Sequence, residues 1–256
     1  MNHHRPLLVA LALLCACDGP KQAPLDTTAS EAPALSAAAP ASAATTAPKK
    51  RKTAADCTDS PIVTLTDATL VKRIRKQLRQ PTGDIKREDL AKIRTLDLSQ
   101  APDNDELDPC IYPHLKGLTA LYMAPGKLDD ITVLAQLTQL ESLRIAATGV
   151  KDLKPLAKLT RLDRLDVGRT PVRDLKPLSE LTNLTSLMLD ETEVTDLSPL
   201  ANLKKLTVIN IKRTRVKDLT PLASIGRLEN LYIQGSAVTD TAPLAGLKGL
   251  NIHQDK

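Results

Sequence analysis

A leucine recurs every 22 residues through the second half of this chain. The residues in this position are Leu118, Leu140, Leu162, Leu184, Leu206, Leu228 and Leu250. A fixed period of about 20 to 50 residues is typical of solenoids, in which each repeat buries its apolar side only against its neighbours. The period therefore predicts a stack of similar units, and such a stack favours a binding surface over a catalytic pocket.

The two halves of the repeat carry different patterns. The first half, L-x-x-L-x-L, alternates apolar and polar residues, which is typical of a short, half-buried strand. The second half reads D-L-x-P-L-x-x-L, as in 152–159 and 196–203. Because proline has no amide hydrogen and a fixed φ, it suits the first turn of a helix and not a strand. We therefore predict one strand in every repeat, stacked in parallel, and a tight turn or short 3₁₀ segment on the opposite side.

The complete pattern resembles the 22-residue leucine-rich repeats of internalins and of eukaryotic phosphatase-regulating repeat proteins. It extends over 93–256. The resemblance implies an α/β solenoid with a curved parallel sheet on its concave face, short turns or 3₁₀ segments on its convex face, and a role as a protein-binding scaffold. The family usually has asparagine where this chain has threonine, as at Thr148 and Thr170. A hydroxyl can also bond to backbone groups inside the solenoid.

A helical N-terminal cap is expected over 57–92. Thr66 or Asp67 can cap a first helix, and 85–93 is expected to form a second, short one. The apolar residues spaced one turn apart on the first helix are Leu70, Ile74 and Leu78. Five basic residues surround that helix, but the signal-like N-terminal segment, which predicts export, and a net charge of only +5 favour a solvated face over nucleic-acid binding.

The last repeats depart from the pattern. Thr241 replaces the expected leucine, which predicts looser packing in that turn. The sequence then stops shortly after another strand begins. The open edge of that strand is either shielded by its polar tail or docks a partner.

The first residues are typical of a bacterial lipoprotein signal, which we place at 1–16. Arg5 precedes an apolar run that is too short to span a bilayer. Leu14-Cys15-Ala16-Cys17 is similar to a lipobox, and Cys17 is the better lipidation candidate because a small residue precedes it. An ordinary secretion signal cleaved nearby is the alternative.

The segment 17–56 is rich in Ala, Pro, Ser and Thr and has no hydrophobic period. Such a composition predicts an extended, disordered linker. The basic run 49–52 either contacts a polyanion such as anionic lipid or is simply solvated.

Cys57 and Cys110 remain as an even pair once Cys17 is acylated. In an oxidising compartment such a pair is expected to form a disulfide, here between the cap and the first repeat. A metal site is a poor alternative, because the sequence places no third and fourth ligands close by.

An aspartate also recurs at every repeat, from Asp130 to Asp240. A calcium ladder is one interpretation, but a cation needs several oxygens around one ion, whereas adjacent repeats lie about 5 Å apart along a line. We interpret these carboxylates as caps of the following turns. We predict no metal and no cofactor.

The sequence lacks the arrangements that enzymes use. After removal of a signal only His114 and His253 remain, near opposite ends of the repeats. There is no HExxH, GxSxG, glycine-rich phosphate loop or Cys-x-x-Cys. We predict that the chain is not an enzyme.

The solvent side of the predicted sheet, expected to be concave, is here named the strand face. Tyr, Arg and Met are enriched at protein interfaces, and several alternate there with buried leucines. The candidate partner-binding residues are Tyr122, Arg144, Arg164, Asp166, Arg169, Met188, Asp190, Asn210, Lys212 and Tyr232. A mixed polar face without a ligand is the alternative for any one of them.

These features predict a non-enzymatic protein-binding scaffold, lipid-anchored in the bacterial cell envelope on either membrane. The expected partners are a protein on the strand face and the membrane through the N-terminal lipid. The rival hypothesis is a glycan-binding or structural envelope lipoprotein. Few aromatic residues argue against stacking on sugars, although Tyr122 and Tyr232 leave it open.

Overall fold

The computed structural model describes residues 51–64, 67–101 and 105–255. The predicted signal, the lipidation candidate Cys17, most of the predicted linker and Thr66 lie outside the described residues.

The repeats form one sheet of eight parallel strands in sequence order. Equivalent residues pair directly, so that Leu143 lies between Leu121 and Leu165 of the adjacent strands. The middle residue of a repeat strand points into the core, and the two flanking residues point to solvent. The strands are β1 (Thr95–Leu98), β2 (Ala120–Met123), β3 (Ser142–Arg144), β4 (Arg164–Asp166), β5 (Ser186–Met188), β6 (Val208–Asn210), β7 (Asn230–Tyr232) and β8 (Asn251–His253). The predicted parallel solenoid is confirmed.

Short 3₁₀ segments return the chain to the next strand, as the proline pattern predicts. In most of them proline occupies one of the first two positions, where a missing amide hydrogen costs nothing. They are Tyr112–His114, Thr132–Gln136, Lys154–Leu156, Lys176–Leu178, Ser198–Leu200, Thr220–Ser224 and Ala242–Leu244. Buried leucines from these segments face the strand leucines and form a continuous aliphatic core.

The recurring aspartates cap these turns. In each repeat the carboxylate accepts the amide of the residue two positions later, as Asp196 Oδ1 does from Ser198 N at 2.8 Å. The same bond is made by Asp130, Asp152, Asp174, Asp218 and Asp240. Hydrogen bonds from Ser198 hold the pKa of Asp196 below its usual value. Within the described residues, no three His, Cys, Asp or Glu side chains are grouped to hold a metal ion.

The threonines that recur once in each repeat are buried, and their hydroxyl groups form hydrogen bonds within the same repeat. Thr192 Oγ1 donates to the carbonyl oxygen of Leu189 at 2.6 Å, and Thr148, Thr170 and Thr214 donate to the residue three positions before them. Each hydroxyl therefore closes a turn within its own repeat, and it is the backbone amides that link neighbouring repeats.

The residue before each threonine has a left-handed backbone. Ala147, Arg169, Glu191 and Arg213 have φ between 53° and 57°, and Gly235 has φ 66°. A non-glycine residue in this conformation costs roughly 1–2 kcal/mol. The backbone is held there because its amide bonds to the next repeat, as Arg213 N does to the carbonyl oxygen of Gln234 at 2.9 Å.

Two helices precede the sheet. The first, α1 (Ala68–Leu78), begins after Asp67, whose carboxylate accepts the amides of Thr69 and Leu70 at 2.7 and 3.0 Å. The second, α2, is only Arg87–Leu90, shorter than the helix expected over 85–93. It cannot begin earlier because the carbonyl oxygen of Ile85 accepts the amide of Val63, in an extended pairing of the two segments.

A segment before the cap is fastened to the first repeats. Cys57 and Cys110 form a disulfide with an S–S distance of 2.04 Å. Arg51 pairs with Asp129 at 2.8 Å, and Lys52 pairs with Asp108 at 2.8 Å. These ion pairs are exposed and contribute little to stability by themselves. The disulfide is therefore the main cross-link between the cap and the first repeat. In the described part of the chain, no helix is long and apolar enough to cross a membrane.

Candidate functional site

The strand face brings the predicted residues together along and beside one column. One column runs through the solvent-facing positions Tyr122, Arg144, Asp166, Met188, Asn210 and Tyr232, which pair in register from strand to strand. Arg164 precedes this column, Asp190 and Lys212 follow it, and Arg169 lies in the left-handed corner beyond β4. The three arginines are exposed, and the other seven residues are half-buried.

Asp166 is the most constrained charge on this face. Its carboxylate lies 3.3 Å from Arg144 Nε and accepts the amide of Gly168 at 3.1 Å. Burial raises the pKa of Asp166, and the nearby Asp190 carboxylate adds to that rise, while Gly168 and Arg144 oppose it. Asp166 is therefore an anchored carboxylate, and its position orients Arg144.

Asp190 lies over Gly168, and only glycine leaves room for it there. A Cβ atom at Gly168 would lie 2.6 Å from Asp190 Oδ1. The same oxygen accepts Asn210 Nδ2 at 3.1 Å, and Asn210 Oδ1 accepts the amide of Lys212 at 3.1 Å. These hydrogen bonds connect the residues after β5 to β6 and fix the side chains of Asp190 and Asn210.

Tyr232 contacts residues from both neighbouring repeats. Its ring stacks on His253 with centroids 4.3 Å apart, and Lys212 Nζ lies 4.8 Å from its centroid. His253 belongs to β8, and Lys212 follows β6, so the two contacts come from the strands on either side of β7. The imidazole is itself placed by Asn230, whose Oδ1 is 3.3 Å from His253 Nε2.

His253 also belongs to this face, although the sequence period did not predict it there. The step of 22 residues from Leu231 assigns His253 to the buried position, whereas in the structure Leu231 pairs with Ile252. The last repeat is one residue shorter, and Gly249 takes a left-handed φ of 80° where the register changes. Two residues could have indicated this change of register: Gly249, and Ile252, which fits the core better than His253 does.

A shallow depression of about 240 Å³ lies between β2 and β5. The depression exists because two of its lining residues, Ser142 and Ser186, have small side chains. Neither serine was among the predicted site residues. The longer side chains around them are Tyr122, Arg144, Arg164, Asp166 and Met188. Polar, charged and apolar groups are thus combined in one open cavity, which can receive a single side chain of a partner.

The two histidines of the described residues do not meet. His114 lies in the 3₁₀ segment before β2, and burial lowers its pKa, whereas His253 lies on β8 at the other end of the sheet. Among the described residues, the two histidines therefore form no acid–base pair on the strand face.

Comparison with known proteins agrees with this architecture. A family model described as leucine-rich repeats in two copies matches residues 182–224. No curated protein matches the sequence. Among solved structures, an internalin (inlF) from Listeria monocytogenes is 28% identical with a TM-score of 0.63, over 73% of this chain and 55% of that one. This chain thus spans about half the length of that internalin.

Two further solved structures are similar to this chain. Internalin C2 from Listeria monocytogenes is 25% identical with a TM-score of 0.65, over 74% of this chain and 93% of that one. The plant peptide hormone receptor RGFR1, solved in complex with RGF2, shares the fold at 21% identity and a TM-score of 0.55, over 67% of this chain and 30% of that one. The chain thus contains leucine-rich repeats, and it shares with internalins a solenoid of parallel strands.

Proposed function

We propose that this chain binds a protein partner through its strand face and that a lipid on Cys17 holds it in a bacterial cell envelope. The leucine-rich repeat fold suggests a protein-interaction scaffold in general. The plant receptor solved in complex with RGF2 is an example of the same fold in a complex.

The observation that carries the proposal is the pattern of charge on the strand face. Arg144 and Arg164 have side chains that are 51% and 72% exposed, although they stand on short strands of a rigid sheet. Exposed ion pairs of this kind add little to stability. Arginine on a fixed backbone is instead well suited to recognition, because its planar group donates several hydrogen bonds in a defined direction.

Two features support the envelope part of the proposal. The lipobox-like sequence ends at Cys17, and the Cys57–Cys110 disulfide suits an oxidising compartment. An acyl chain on Cys17 would attach the protein to a membrane without a spanning helix.

The glycan-binding alternative is less well supported. Sugars stack on open aromatic faces, but Tyr232 already stacks on His253 and has Lys212 Nζ 4.8 Å from its ring centroid. Tyr122 is half-buried beside Arg144 and offers a single small platform. We therefore do not retain glycan binding as a second function.

Photo-crosslinking in the native envelope tests the proposed face. A photoreactive residue would replace Met188 on the strand face or, as the control, the exposed Lys158 that follows a 3₁₀ segment. We expect one dominant protein adduct from position 188 and none from position 158. Adducts of equal yield from both positions, or adducts with polysaccharide alone, would contradict the proposal.

Metabolic labelling tests the anchor independently. Radioactive palmitate should be incorporated into the wild-type chain and be lost in Cys17→Ala, whereas Cys15→Ala should reduce it much less. Labelling that survives Cys17→Ala would overturn this assignment and leave the binding face unaffected.

A further inference from the structure

We propose that the depression between β2 and β5 receives a carboxylate of the protein partner, held between Arg144 and Arg164. This inference rests on the proposed function and specifies the chemistry of its central contact. The carboxylate belongs to an Asp or Glu side chain or to the C-terminus of the partner.

The donors are available. Arg144 and Arg164 approach Asp166 and Asp163 through their Nε atoms, at 3.3 and 3.4 Å. Neither guanidinium makes a hydrogen bond to another of the described residues, whereas Arg75 and Arg94, outside the depression, donate to carbonyl oxygens. The terminal nitrogens of both arginines are thus free to form the paired bonds that guanidinium groups make with carboxylates.

The two arginines can reach one ligand. Ser142 pairs with Arg164 and Arg144 pairs with Asp166, so the arginines are diagonal neighbours on adjacent strands. Diagonal neighbours of a sheet lie roughly 7–8 Å apart, a separation that two long side chains can bridge. Both line the same depression, and its volume of about 240 Å³ is enough for an acidic side chain.

The lining of the depression includes two arginines and one aspartate, so its formal charge is positive. Asp163, which pairs with Arg164, lies outside that lining. The Asp166 side chain is 28% exposed and is held by the Gly168 amide, whereas the two arginine side chains extend into solvent. An approaching group therefore meets the guanidinium groups first. Tyr122 and Met188 lie at either end and can contact the apolar part of the residue that carries the carboxylate.

A peptide selection tests this chemistry without knowledge of the partner. Random twelve-residue peptides displayed on phage would be selected on the full chain, and each enriched peptide would be synthesised with Asp or Glu and with Asn or Gln at the shared acidic position. We expect the acidic form to bind at least 10-fold more tightly to the wild-type chain, because a charge pair is lost in the amide form.

Matched variants locate the effect. Arg144→Gln with Arg164→Gln should abolish the difference between acidic and amide peptides, and Arg144→Lys with Arg164→Lys should retain only part of it, because lysine keeps the charge and loses the planar donor pair. Ser186→Glu should also weaken acidic peptides by placing a carboxylate in the depression. Lys158→Gln with Lys217→Gln, at exposed positions away from it, should keep the full difference.

The outcomes separate this inference from the proposed function. Peptides that crosslink to position 188 but show no preference for acid, or a preference that the double glutamine variant keeps, would overturn the carboxylate site and leave the binding face in place. If no peptide is enriched, or if all of them crosslink elsewhere, both ideas are contradicted. Thermal unfolding midpoints within about 2 °C of wild type would show that each variant is folded.

Discussion

The two ends of the repeat stack are built differently. At the N-terminal end α1 packs on β1, and its Leu70 and Ile74 are 3% and 0% exposed. At the C-terminal end of the described residues, Val238, Leu247, Leu250 and Ile252 are only partly buried. The same apolar columns are fully buried in the middle of the stack, so the burial of a repeat depends on having a neighbour on each side as much as on its own sequence.

The disulfide at the N-terminal end should give the largest effect. It closes a loop between residues 53 positions apart, and the chain-entropy model gives about 4 kcal/mol for such a loop. We expect Cys57→Ala with Cys110→Ala to lower the free energy of unfolding by about that amount, measured by urea denaturation. Reduction of the wild-type protein should reproduce the loss and should change nothing in the double variant. A loss below about 1 kcal/mol would show that the helical cap covers the stack without the link.

Two leucines of the 22-residue sequence period compare the middle with the C-terminal end. Leu184 is 0% exposed, whereas Leu250 is only partly buried. We expect Leu184→Ala to cost about 3 kcal/mol and Leu250→Ala less than about 1 kcal/mol, because the second substitution leaves a smaller cavity. Urea unfolding under identical conditions measures both. Equal losses would mean that burial in this last repeat is as complete as in the centre.

Substitutions at the left-handed corners should have the smallest effect on stability. Ala147 has φ 56°, while Gly235 holds the equivalent corner of a later repeat with φ 66°. Ala147→Gly should raise stability by about 0.5 kcal/mol, because relief of strain exceeds the entropy cost of glycine. Gly235→Ala should lower stability by about 1 kcal/mol, since its Cβ would lie 3.1 Å from Arg213 Cγ. Thermal midpoints that move in the opposite directions would show that the corner is unstrained.

Much of the fold follows from the sequence because its causes are local and repeated. Alternation predicts the strands, proline predicts the 3₁₀ turns, and the aspartates act as the caps that their position indicates. The left-handed corner was not predicted, because Ala147, Arg169 and Glu191 share no residue type and none is typical of that conformation. Tertiary hydrogen bonds hold the backbone there, and these have no sequence pattern.

The candidate site could be predicted in outline and not in detail. Alternation places Arg144 and Arg164 on the solvent side, but it does not indicate that Asp166 orients the first of them. Asp190 lies over Gly168 because the two repeats approach closely there, and this approach has no sequence pattern. His253 was not predicted on the strand face because the last repeat is one residue shorter than the 22-residue period from which the solvent-facing positions were assigned.

Charge reversal on the strand face tests the central claim most directly. The partner captured at position 188 would be titrated against Arg144→Glu with Arg164→Glu and against the control Lys158→Glu with Lys217→Glu, and thermal unfolding of all forms would be recorded. We predict at least a 100-fold weaker complex for the arginine variant, with a thermal midpoint within about 2 °C of wild type and no change in affinity for the control. An undiminished complex, or a loss of binding matched by loss of folding, would contradict the claim that these arginines serve recognition.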